Sequence, residues 1–221
     1  MSPWRGAGLI ALALVSYLPP TPCAEVQESP AADSAGGAPA RWEISGSASG
    51  YLLPDDEDFV LPIVYADRGG LHLETRYNYE ALDSGSIFAG WNYGYEHGDR
   101  LRLEVTPMAG VVLGDLEGFA PGFEMTLGYG HFELYSEFEY VFDLEDSDAD
   151  FLYNWSELTW APVDWFRVGL TTQRTRVYRT ERDIQRALLL GFSVANVSFT
   201  AHLFNPDDEG HFYVFAAAAD F

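Results

Sequence analysis

The stretch Leu71–Glu80 reads LHLETRYNYE and alternates between two kinds of side chain. The two sets are Leu71, Leu73, Thr75, Tyr77 and Tyr79 on one face, and His72, Glu74, Arg76, Asn78 and Glu80 on the other. Successive side chains of a β-strand point to opposite sides of its sheet. The stretch therefore predicts a strand with one largely apolar face and one polar, charged face.

The same period of two recurs along most of the chain, in segments of about ten residues, and no long window after residue 40 has helical spacing. Eleven segments show it: 41–53, 71–80, 86–96, 101–113, 121–130, 132–142, 151–161, 164–177, 186–194, 197–204 and 211–221. Such a pattern predicts an all-β, antiparallel fold.

Composition excludes several classes of protein. The 221 residues include 34 acidic and 12 basic side chains, all of the latter Arg, and the net charge is −22. This excess argues against nucleic-acid binding, which needs a basic face. Because 48% of the residues are hydrophobic and 15% aromatic, the chain is also unlike a disordered acidic protein. A single Cys excludes an intramolecular disulfide framework.

Residues 1–24 have the features of a secretory signal peptide. Arg5 precedes an apolar run, 7–18, that is too short to span a bilayer as a helix and has the length of an h-region. We expect cleavage after Ala24, which leaves a flexible periplasmic tail at 25–40 and a folded domain at 41–221. Cys23 raises a lipoprotein alternative, although the preceding Pro-Thr-Pro is unlike a lipobox.

Two kinds of fold explain strands with one apolar face. A soluble sandwich or lipocalin-like barrel buries that face, whereas a membrane barrel turns it toward lipid and keeps a polar lumen. Strand lengths near ten residues favour the membrane barrel. So do aromatic residues near the strand ends, which form two belts. One belt contains Trp91, Tyr93, Tyr95, Tyr129, Phe132, Trp160 and Trp165, and the other contains Tyr77, Tyr79, Phe123, Tyr140 and Phe142.

The connections between the segments also alternate in length. The tight turns are Asp67–Gly70, His97–Arg100, Gly130–His131, Pro162–Asp164 and Ala195–Asn196. The longer, charged connections are Pro54–Asp58, Asp115–Ala120, Asp143–Asp150, Tyr178–Gln185 and Asn205–Gly210. Short turns on one side and longer loops on the other are typical of outer-membrane barrels.

The last segment, HFYVFAAAADF, places hydrophobic residues at every second position up to Phe221. This pattern resembles the assembly signal of bacterial outer-membrane β-barrels, a general class rather than one family. The resemblance covers residues 41–221 as an architecture and implies an up-and-down transmembrane barrel in the outer membrane. It also implies recognition by the barrel-assembly machinery, with the signal at Tyr213, Phe215 and Phe221.

The number of strands follows from parity. Both ends of such a barrel lie in the periplasm, so the count must be even, and residues 59–66 must supply a twelfth strand. Pro62 weakens that segment because proline cannot donate a ladder hydrogen bond. We therefore predict about 12 strands, or ten if 59–66 and a second weak segment stay outside the barrel.

If the apolar faces point to lipid, a set of charged side chains points into the lumen: Glu74, Arg76, Arg102, Glu104, Glu124, Glu133, Glu137, Glu139, Glu157 and Arg167. Glu157 is turned inward to avoid a carboxylate in mid-bilayer. This choice also turns Tyr153 and Trp155 inward, and leaves Asn154 and Ser156 toward lipid.

The acidic lumen has two interpretations, and from the sequence we favour the first. A narrow, porin-like passage with an acidic wall would favour cations and allow passive diffusion of small solutes. A plugged barrel held by Arg–carboxylate pairs would instead be structural or surface-binding. Inward aromatics raise a further alternative, a sugar-stacking track formed by Tyr51, Tyr135, Tyr153 and Trp155. The oligomeric state stays open.

Other predicted partners are lipids and ions near the outer loops. Five Arg residues surround one predicted loop and suit lipopolysaccharide phosphates: Arg174, Arg176, Arg179, Arg182 and Arg186. Asp146, Asp148 and Asp150 suggest weak Ca²⁺ or Mg²⁺ binding, although Phe151 stands where a calcium loop needs Gly. No nucleophile or phosphate-loop motif occurs, so we expect no enzyme activity and no cofactor. An outer-membrane hydrolase is the third hypothesis.

Overall fold

A computed structural model describes residues 41–54, 56–98, 100–175 and 184–221. The strands are β1 Glu43–Leu52, β2 Phe59–Arg68, β3 Leu71–Tyr77, β4 Ser84–Trp91, β5 Tyr93–His97, β6 Leu101–Gly114, β7 Gly118–Tyr129, β8 Phe132–Asp143, β9 Phe151–Val163, β10 Phe166–Arg174, β11 Gln185–Val194, β12 Val197–Phe204 and β13 Phe212–Asp220. A short 3₁₀ turn, Ser147–Ala149, lies between β8 and β9. In the described part of the chain, no helix is long and apolar enough to cross a membrane.

The strands form one closed antiparallel barrel. Sequential neighbours pair along the chain, and β1 also pairs with β13, which closes the wall. Both β4 and β5 pair with β6 in one continuous register, from Gly90 opposite Met108 to Tyr93 opposite Val105. They are therefore two halves of a strand interrupted at Asn92. The wall has 12 strands, and the predicted all-β architecture and strand number are confirmed.

The weakest predicted strand, 59–66, is present as β2. Pro62 points outward and is exposed. The register of β2 with β3 begins one residue later, where Ile63 lies opposite Arg76. Proline is tolerated here because its missing N–H falls outside that ladder.

The barrel has two distinct ends. At the turn end, two or three residues join β2–β3, β5–β6, β7–β8, β9–β10 and β11–β12. Gly69, Gly98, Gly130 and Ala195 have φ near +60° there, as tight hairpin turns require. At the loop end the connections run from 115–117, the shortest, to 175–184. The predicted alternation of short turns and longer loops is present, although β7 begins at Gly118 and the fourth turn lies at 164–165.

The prediction that Tyr79 belongs to an outer aromatic belt is wrong. The strand β3 ends at Tyr77, and Asn78 has a φ of 58°, which turns the chain. The Asn78 side chain fixes this turn by donating to the Val60 carbonyl and accepting from the Asp83 N–H. Tyr79 is consequently buried.

Candidate functional site

The interior of the barrel contains a buried cluster centred on Arg76, here called the arginine cluster: Arg76, Glu74, Glu80, Glu137 and Glu139. Arg76 Nε and Nη2 donate to the two oxygens of Glu74 at 2.7 and 3.0 Å. Its Nη1 lies 2.8 Å from Glu137 Oε1 and 3.0 Å from Glu139 Oε2. Glu80 is more distant, at 3.6 Å. All five side chains are buried.

Two aromatic rings also contact Arg76. The guanidinium lies 4.3 Å from the ring centroids of both Tyr79 and Phe88. Such cation–π contacts are strongest when the cation is desolvated. The Tyr79 hydroxyl also donates to Glu137. The turn at Asn78 therefore moves an aromatic side chain from the predicted belt into the centre of the charged interior.

Four carboxylates surround one guanidinium in this cluster, so full ionisation would leave an excess of negative charge in a buried place. Glu80, which lies in the loop between β3 and β4, shows the consequence of this excess charge. Burial raises the pKa of the Glu80 carboxyl, while Arg76 and a 2.8 Å hydrogen bond from Ser86 Oγ oppose the rise.

Replacing Glu80 with Gln is expected to flatten the dependence of stability on pH. A carboxyl whose pKa is raised by folding holds a proton that the unfolded chain has released, so stability falls as the pH rises through the folded-state value. Gln can still accept from Ser86 but does not titrate. Urea unfolding at about pH 5 and about pH 9 checks this prediction. An equal loss of stability in wild type and Glu80→Gln would contradict it.

A chain of polar contacts links the arginine cluster to the turn end. His72 Nε2 lies 3.5 Å from Glu74 Oε2, and His72 Nδ1 lies 2.9 Å from Asp67 Oδ1. Asn92 donates to the same Asp67 oxygen at 2.7 Å and accepts from Thr106 Oγ1 at 2.7 Å. The interruption between β4 and β5 thus places an amide where it joins three strands of the inner wall.

Nearer the turn end, the acidic interior becomes accessible. Arg102 Nη2 donates to Glu133 at 2.9 Å, and Arg102 Nη1 lies 3.7 Å from Glu104. The Glu104 side chain is 54% exposed, compared with 0% for Glu139. Glu124 is partly buried and accepts from the Tyr135 hydroxyl at 3.2 Å. These residues form a half-open vestibule.

The loop end of the interior is closed by apolar side chains, here called the plug: Val112, Val141, Phe204, Phe212 and Val214, all fully buried. The rings of Phe204 and Phe212 stack at 4.7 Å. Sequence reasoning missed the plug because it placed every apolar face toward lipid. One indication was available, since the segment HFYVFAAAADF is apolar on both of its faces.

A second interior group lies on β9, β10 and β12. Trp155 Nε1 donates to Glu157 at 2.9 Å, and Arg167 donates to Thr200 at 2.6 Å. Thr171 Oγ1 lies 3.0 Å from His202 Nδ1, but His202 Nε2 lies 3.7 Å from Glu157. This hydroxyl–imidazole–carboxylate order is formally that of a hydrolase, yet the last contact exceeds hydrogen-bond reach and all three side chains are buried.

The structure places all ten predicted lumen residues on the inner side of the wall. It brings Glu74, Arg76, Glu137 and Glu139 into one cluster, groups Arg102 with Glu104 and Glu133, and leaves Glu157 and Arg167 near His202. Tyr153 and Trp155 are also inward, as expected. The rings suggested as a sugar track contact other protein groups instead: Tyr51 stacks on Phe59 at 4.5 Å, and Tyr153 meets Tyr79 at 4.8 Å.

The predicted surface residues that the structure describes lie at the loop end. Arg174 ends β10, and Arg186 near the start of β11 donates to Asp207 at 2.8 Å. Arg176, Arg179 and Arg182 lie outside the described residues. In the acidic loop, Asp146 accepts from the Asp148 N–H and Asp150 from the Asp143 N–H. No group of three His, Cys, Asp or Glu side chains placed to hold a metal ion occurs among the described residues.

The outer wall is mostly apolar between two aromatic belts. Every member of the predicted belt at the turn end is exposed, from Trp160 at 45% to Tyr93 at 60%. At the loop end, Tyr77, Tyr140 and Phe142 are also exposed, whereas Phe123, predicted for the same belt, is exposed in the middle of β7 opposite Phe138. Tyr213 and Phe215 point outward on β13, and the N–H of Phe221 donates to the Ile44 carbonyl at 3.0 Å. No protein-family model matches this chain, and no curated protein matches it.

Proposed function

We propose that the chain is an integral outer-membrane β-barrel whose acidic interior is closed at the loop end by the plug, and which serves as a structural or surface-binding barrel. The supporting observation is the distribution of polarity across the wall. Glu137 and Glu139 are buried inside, whereas their neighbours Phe138 and Tyr140 are exposed outside. In water this arrangement would bury charge and expose apolar surface, whereas in a bilayer each face meets a suitable environment.

The remaining elements of the proposal follow from membrane placement. Export by the signal peptide and insertion by the barrel-assembly machinery would bring residues 41–221 to the outer membrane. The aromatic belts would lie at its two interfaces. Lipids would contact the outer wall, and lipopolysaccharide phosphates would contact the arginines at the loop end.

A narrow, cation-favouring channel is the second candidate function. It is favoured by the vestibule, where Glu104, Glu124 and Glu133 outnumber Arg102 and lie in a partly open interior. Acidic walls of this kind attract cations and disfavour anions. Passage through the barrel would require displacement of the plug.

Conductance in planar bilayers distinguishes the two candidates. We expect the refolded wild-type protein to give no conductance steps, because the plug fills the interior. The double variant Phe204→Ala plus Phe212→Ala should give cation-selective steps, since it removes two stacked rings from the plug. Frequent steps from the wild type would favour the channel. Recovery of the mature protein from the soluble periplasm would contradict membrane placement itself.

A further inference from the structure

The outer wall has a polar strip across β8, β9, β10 and β11, here called the polar ladder: Ser136, Asn154, Ser156, Thr172, Arg174 and Arg186. The strand register places Ser136, Ser156, Thr172 and Arg186 side by side in one row. Asn154 and Arg174 are neighbours in the next row. Their sequence neighbours Glu137, Trp155 and Gln173 are buried inside, so the ladder faces outward.

The ladder interrupts an otherwise apolar surface. The adjoining row toward the turn end consists of Leu134, Leu158, Leu170 and Leu188, again side by side. Polar side chains facing lipid are costly, so their presence there is a reason to look for a site. The ladder begins within this wall at Ser136 and reaches the loop end at its two arginines.

The part of the ladder on β8 and β9 satisfies its own hydrogen bonds. Ser136 Oγ and Ser156 Oγ are 2.8 Å apart, and Asn154 Nδ2 donates to the Glu137 carbonyl at 2.9 Å and to Ser156 Oγ at 3.3 Å. This part therefore tolerates lipid without a partner. The part on β10 and β11 differs, because Thr172, Arg174 and Arg186 are exposed and the two arginines carry charge.

We propose that the polar ladder binds the phosphorylated sugar headgroup of an anionic glycolipid in the surrounding leaflet. Guanidinium groups bind phosphate through paired, charge-assisted hydrogen bonds. The exposed Thr172 hydroxyl next to them suits a sugar hydroxyl. The Arg186–Asp207 pair is exposed and so contributes little to hold Arg186 away from a phosphate.

The charges favour a lipid over a second copy of the chain. A two-fold contact uses the same patch on both subunits, which would bring Arg174 and Arg186 of one copy toward those of the other. Like charges repel in such a contact, whereas the negative charge of a phosphorylated headgroup attracts the two arginines. The inference rests on the proposed membrane placement and adds a defined lipid site to it.

Lipid binding by the full mature chain in phosphatidylcholine nanodiscs tests the proposal. The probes are diphosphorylated lipid A, its dephosphorylated form and phosphatidic acid, each titrated and counted by native mass spectrometry. We expect Arg174→Gln plus Arg186→Gln to weaken lipid A binding at least about tenfold. The matched control is Arg68→Gln plus Arg100→Gln, which also removes two positive charges, but at the turn end, and should leave binding unchanged.

A second variant tests the sugar contacts. Thr172→Val should reduce the preference for lipid A over phosphatidic acid while the arginines remain. Unchanged lipid A binding in the arginine variant would overturn the proposal, as would a wild type that binds phosphatidic acid equally well. A change in the number of protein copies per nanodisc in either variant would identify the ladder as a protein contact instead. Failure of the wild type to enter nanodiscs would show separately that membrane placement is wrong.

Discussion

Replacing Arg76 with Met is expected to destabilise the barrel by about 3–5 kcal/mol. Met has a similar length but no charge, so Glu74, Glu137 and Glu139 would lose the cation that they share at 2.7–3.0 Å. Burying carboxylates without a partner costs more than the loss of an ordinary hydrogen bond. Urea unfolding of the refolded protein in lipid vesicles measures the change in the free energy of unfolding.

Arg102→Met is the matched control for this experiment. Arg102 is also paired with carboxylates, but its side chain is partly exposed in the vestibule. Water can therefore solvate the remaining Glu133, and we expect a loss of about 1 kcal/mol or less. Adding Glu74→Gln to Arg76→Met should recover part of the lost stability. Equal losses in the two single Arg variants would show that Arg76 is not the centre of a buried cluster.

Replacing Leu158 with Arg is expected to cost about 2–4 kcal/mol in a bilayer, as a cation on the lipid face does near the midplane. Leu158 is half exposed and lies between Leu134 and Leu170 on neighbouring strands. In a water-soluble barrel, the same change on an exposed position would cost little. Unfolding by urea from phosphatidylcholine vesicles gives the measurement.

The control for Leu158→Arg is Val194→Arg. Val194 is the last residue of β11, at the turn end, and is also exposed. Near the interface an Arg costs about 0–1 kcal/mol, because its long side chain reaches the headgroups. A similar small cost at both positions would contradict the proposed placement of the leucine row in hydrocarbon. The two variants therefore measure depth in the membrane rather than tolerance to Arg in general.

The alternation of side chains determined most of the wall. A period of two is a local property of an extended chain, so it can be read without knowing which strands meet. It located eleven of the 12 wall strands, whereas parity supplied 59–66, and it assigned the predicted lumen carboxylates and arginines to the inner side. Glu157 was assigned through the cost of a charge in lipid, and the buried Trp155 and Tyr153 agree with that choice.

Contacts across the interior were decided only by tertiary structure. Arg76 and Glu139 are 63 residues apart, and their 3.0 Å contact depends on how a closed barrel brings β3 and β8 face to face. Tyr79 departed from the pattern because Asn78 adopts a left-handed backbone conformation that ends the strand. Phe204 and Phe212 stack as partners on neighbouring strands, but only closure brings Val112 of β6 and Val141 of β8 into the same plug. Local periodicity specifies which side of a strand a residue occupies, but barrel closure specifies which residues it meets there.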